Sequence, residues 1–99
     1  MKIIHKFIEH INDELDGAKE YAEKFIENKA KSNMMRASRY KEMAEDEMKH
    51  ATYIKDMALV DAEELLKVYT LPIETEEQWN HTLKHFAECM AMIRHMLAM

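Results

Sequence analysis

The chain of 99 residues contains one glycine, Gly17, and one proline, Pro72. So little turn chemistry excludes folds built from many short strands, which need such residues at every reversal. A single cysteine, Cys89, excludes an internal disulfide and makes a reducing cytoplasm the expected location. Long apolar runs are missing too. The opening MKIIHKFIEHINDE is cut by His5, Lys6, Glu9 and His10, so neither a signal peptide nor a membrane span is expected. Basic blocks are absent and the formal net charge is −5, which argues against nucleic acid and anionic membranes as partners.

What remains is rich in Ala, Met, Leu, Glu and Lys, all good helix formers, and the chain reads as one all-α domain over residues 1–99. A chain this short buries a modest core and commonly needs a metal or a partner subunit to hold it. Ile4, Ile8, Ile11, Leu15, Ala18, Ala22 and Phe25 recur every three or four residues, predicting a helix over about 2–28. The segment NKAKSN then has no large apolar residue and ends in Ser32 and Asn33, plausible helix caps. Tyr40, Met43, Ala44, Glu47, Met48, Ala51, Ile54 and Ala58 predict a second helix over about 33–59, folded back on the first as an antiparallel hairpin. Asp61 is placed to cap a short helix over about 62–69, ended by Pro72. The Thr75–Gln78 spacing suits a capping box for a C-terminal helix whose seam is Trp79, Leu83, Phe86, Met90, Ile93 and Leu97.

Glu47-Met-Lys-His50 places a carboxylate and an imidazole one helical turn apart, so both can reach one ion. About one such pair is expected by chance in a chain of this composition, so the pattern needs independent support. Hairpin register provides it. With the turn centred near Lys31, Glu47 lies sixteen residues after it and Glu14 seventeen before it, at nearly equal height. Glu14 shares its side of the first helix with Phe7, Ile11, Ala18, Tyr21 and Phe25, so two carboxylates interrupt facing apolar stripes. Burying them together is costly unless a cation compensates.

Glu14, Tyr21 seven residues on, and the Glu47–His50 pair on the next helix resemble one half of the ferritin-like di-iron carboxylate pattern of ferritins, bacterioferritins and rubrerythrin-type domains. The resemblance spans about Ile4 to Ala58 and is nearest to the short encapsulated ferritins, whose half-sites meet between subunits. It implies that Glu14 and His50 are terminal ligands and that Glu47 bridges two iron ions per dimer, with manganese fitting the same ligands. It also makes Tyr21 a hydrogen-bonding neighbour of the ligands and, with Glu47, a residue on which catalysis turns. The implied activity is Fe(II) oxidation by oxygen or peroxide, in iron handling or peroxide detoxification. No second E-x-x-H follows Ala58, so one chain supplies half a site, and a ferritin-like four-helix bundle completed in a homodimer or larger even-numbered oligomer is expected.

Other groups read differently. His10 is spaced to pair with Glu14. His81, His85 and Glu88, one face of the last helix, suit a solvated side or a secondary metal site, and the ten methionines suit adaptable core filler. The competing function is a non-catalytic helical assembly or adaptor protein whose inner Glu/His network sets subunit register.

Overall fold

A computed structural model describes residues 2–99. Three helices occupy them: α1 (Lys2–Ala30), α2 (Met34–Leu66) and α3 (Ile73–Leu97). The described residues contain no strand, and no helix among them is long and apolar enough to cross a membrane.

Helix α1 ends in a tight reversal. The Ser32 amide donates to the Lys29 carbonyl at 3.0 Å and the Asn33 amide to the Asn28 carbonyl at 2.9 Å, satisfying carbonyls that the helix end leaves open. Ser32 carries the left-handed backbone angle this closure demands, with φ of 60°. Asn33 starts α2, its side-chain oxygen accepting from the Arg36 amide at 3.2 Å.

The hairpin packs through small residues. Ala18 and Ala22 on α1, with Ala44, Ala51 and Ala58 on α2, are all fully buried. Ile4, Ile11 and Leu15 fill the space between the helices. Helix α3 then returns alongside α1, burying Trp79, Phe86, Met90, Ile93 and Leu97, with Leu83 partly covered. Its C-terminal end meets the C-terminal end of α1, where the Lys29 ammonium donates to the Met99 carbonyl. α1 packs against both other helices, while α2 and α3 scarcely touch. The result is a rod of 55 × 18 × 17 Å.

Two expected boundaries are wrong. No separate helix forms over 62–69, because α2 runs without a break through Asp61 to Leu66. No glycine or proline interrupts this stretch, and Ala58 and Ala62 continue the buried stripe across it. Helix α3 begins at Ile73 with Pro72 as its N-cap residue, without a side-chain cap; Thr75 is buried inside the first turn instead. Met43, expected in the core, is exposed.

The left-handed Ser32 offers a direct check on the turn. Ser32→Gly removes the steric penalty of a side chain at positive φ and should raise stability by about 1 kcal/mol, measured by urea unfolding.

Candidate metal centre

The equal heights of Glu14 and Glu47 bring their carboxylates together at the middle of the hairpin. One ligand atom each from Glu14, Glu47 and His50 lies within 4.8 Å of the others. His50 Nδ1 is 3.7 Å from Glu14 Oε2 and 3.6 Å from Glu47 Oε1. The other oxygen of Glu14, Oε1, faces His10 Nε2 at 3.7 Å. Glu14 therefore lies between two imidazoles, one from each helix.

This cluster sits at the margin of the core rather than within it. The Glu14 and Glu47 side chains are 20% and 26% exposed and His50 is 54% exposed. The expected buried stripe is thus shifted: Ala44, Met48 and Ala51 turn inward, while Glu47 and His50 open onto the outer face of the hairpin. Toward the turn, Tyr21 stacks on Tyr40 with ring centroids 6.3 Å apart. Tyr21 packs partly buried against the core, and among the described residues its hydroxyl forms no hydrogen bond to either glutamate.

Gly17 is the residue that sequence reasoning passed over. A Cβ at this position would stand 3.1 Å from Glu47 Oε2. The lone glycine of the chain, unfavourable within a helix by up to about 1 kcal/mol relative to alanine, opens the space into which Glu47 reaches. The signal was available: a glycine inside a long helix, three residues after Glu14 and on the hairpin side, asks what approaches its backbone.

Electrostatics join the two carboxylates. A hydrogen bond with Glu14 raises the pKa of Glu47 above its ordinary value, aided by partial burial and by the Glu14 charge; His50 opposes the shift. A proton held in this pair must leave when a cation takes both carboxylates.

The histidines of α3 stand apart from this cluster. His81 and His85 have nearly parallel rings with centroids 6.2 Å apart, and His85 Nε2 lies 3.3 Å from Cys89 Sγ. Burial pushes the Cys89 thiol up, away from reactive thiolate character. No family model, curated protein or solved structure matches the chain.

Gly17→Ala should leave the metal-free fold as stable as the wild type or slightly more so, while weakening Mn(II) or Co(II) binding by about tenfold or more, measured by calorimetry. A second expectation concerns pH. The folded protein keeps a proton on Glu47 that the unfolded chain has already released, so this group's contribution to stability falls as pH rises from the ordinary carboxylate value of 4.5 through the raised one. Urea unfolding of chelator-treated protein should show that loss in the wild type and a flatter profile in Glu47→Gln.

Proposed function

We propose that the protein is a ferritin-like di-iron protein that oxidises Fe(II) with oxygen or peroxide at a site shared between two copies of the chain. The supporting observation is the convergence of Glu14, Glu47 and His50 from two helices to within 4.8 Å. Two carboxylates and an imidazole form a hard, oxygen-rich donor set suited to iron in both oxidation states and to manganese. One chain offers at most two negative charges, too few to neutralise a pair of ions. A two-fold axis over the outer face of the hairpin doubles the ligands without new sequence.

Each residue then has a task. Glu14 and His50, on facing helices, would hold one ion. Glu47, extended across α1 at Gly17, would supply the carboxylate shared with the second copy's half of the site. His10 Nε2 stands 3.7 Å from the remaining oxygen of Glu14, beyond hydrogen-bond reach. The Tyr21–Tyr40 stack lies two helical turns, about 10 Å, from the cluster toward the reversal. Iron held by these residues would supply the redox chemistry, two Fe(II) giving one electron each, with two protons, either to oxygen to form hydrogen peroxide or to hydrogen peroxide to form water. Oxygen as oxidant would serve iron handling, and peroxide as oxidant would serve peroxide detoxification.

Tag-free protein should bind about one iron or manganese per chain and form an even-numbered oligomer, with added Fe(II) raising both the melting temperature and the associated fraction. Glu47→Gln should abolish metal binding and oxidation while keeping the helices, and His50→Ala should weaken them less completely. Replacing His81 and His85 together by alanine should leave iron content and initial oxidation rate within about twofold. A protein that stays metal-free after loading, or a Glu47→Gln variant with full iron content, would instead favour a helical assembly protein whose Glu/His network only sets register.

A further inference from the structure

The gap between α2 and α3 leaves a trough on the side of α2 turned away from Glu47 and His50. It encloses about 510 Å³ and extends along α2 from Lys41 to Tyr53, about 18 Å of helix. Its floor is Met48, Met90 and Leu97. A second hollow of about 340 Å³ continues it toward the reversal, sharing Lys41, Leu97 and Ala98 and adding Phe25, Met34 and Ala37.

Polar and apolar groups are sorted along this trough. Lys49 lines the α2 wall and Arg94 the α3 wall, with the hydroxyl residues Thr52 and Tyr53 at the same end. Lys55 lies over the Phe86 ring at 5.0 Å, and α3 runs antiparallel to α2. Arg94, eight residues past Phe86, therefore stands level with Glu47, about 3 Å along the axis from Lys49. Among the described residues, neither Lys49 nor Arg94 has a carboxylate within ion-pair distance. Glu45 is the single acid of the trough. Lys41 differs from the other two cations. Its ammonium lies 6.0 Å from the centre of the Phe25 ring, so its charge is directed onto an aromatic face while its methylene stem extends the apolar end.

We infer that the trough binds a free long-chain carboxylate, a fatty acid, with its head between Lys49 and Arg94 and its unbranched tail running along Met48 and Leu97 toward Phe25 and Met34. On a chain of net charge −5, two unpaired cations on opposite walls above an apolar floor mark where an anion is favoured. From Lys49 to Met34 the path follows about 22 Å of α2, a length that suits an extended alkyl chain rather than a compact ring system. Cavities of this size hold small ligands, and each methylene taken out of water there stabilises the complex. The cation pair fixes which way the ligand lies. At about 100° per residue, Lys49 points roughly opposite to Glu47, so this site needs neither the Glu/His cluster nor a metal.

The test titrates full-length protein, in chelator, with dodecanoate below its micelle-forming concentration, followed by calorimetry. One saturable site per chain is expected. Octanoate should bind at least about tenfold more weakly because its tail is shorter. Lys49→Gln and Arg94→Gln should each weaken dodecanoate binding about fivefold or more, through loss of a charged partner for the head. Glu45→Gln should instead tighten it about twofold, by removing the one like charge. These three side chains are exposed, so the substitutions leave the helices intact, which circular dichroism checks. Dodecyltrimethylammonium, the same tail with the opposite charge, should not bind. Absence of saturable dodecanoate binding overturns the inference. So does a Lys49→Gln, Arg94→Gln double variant with wild-type affinity, or equal affinity for the cationic amphiphile. Binding to phosphatidylglycerol vesicles with none to monomeric dodecanoate also overturns it, and would make the trough a membrane contact instead.

Discussion

The close approach of α1 to α2 sets everything else in place. Five alanines, Ala18 and Ala22 facing Ala44, Ala51 and Ala58, let the two backbones come near enough that the larger Ile4, Ile11 and Leu15 can be buried only in one register. Side chains of greater volume at those positions would hold the helices apart and loosen that register. A slip of one helical turn would move a glutamate about 5 Å along its neighbour, more than the whole span of the Glu14, Glu47 and His50 cluster. Ordinary apolar packing therefore performs the alignment, and the polar residues inherit it.

That inheritance has a physical cost at the carboxylates. Glu14 and Glu47 repel when both are ionised, and their proximity is tolerable because both remain partly hydrated and His10 and His50 lie against Glu14. A fully enclosed pair would face a much larger desolvation penalty. The open margin of the hairpin thus keeps the isolated chain stable and leaves the cluster open to solvent. Gly17 belongs to the same compromise, giving up side-chain packing and helix propensity so that Glu47 can lie across α1.

The helical class, the α1–α2 hairpin and the pairing of Glu14 with Glu47 were legible because each rests on a periodic signal or on counting from one turn. Trp79, Phe86, Met90, Ile93 and Leu97 were likewise readable as a buried seam. Asp61 misled: a good capping residue marks a helix start only where the preceding helix has a reason to stop, and Ala58 and Ala62 gave it none. Thr75 misled for the related reason that Pro72 already fixes the entry to α3. The outward displacement of Met43, Glu47 and His50 was hidden because two-helix spacing does not say where a third helix will dock. By settling on α1, α3 decides which margin of the hairpin is covered. Gly17 was visible but unread, since its meaning depends on a side chain thirty residues away.

The Asn28–Asn33 reversal also divides the molecule by chain entropy. Bringing α2 against α1 closes a short connection, whereas the contact between Lys29 and Met99 that anchors α3 spans 70 residues. Closure entropy grows with the logarithm of that length, so the hairpin contacts cost the chain less freedom than the docking of α3. Every residue of the Glu/His cluster lies on the cheaper side of this division. Fraying of α3 from its far end can therefore proceed while the carboxylates keep their mutual spacing, and the region most tolerant of local opening is the one that contributes nothing to the Glu/His cluster.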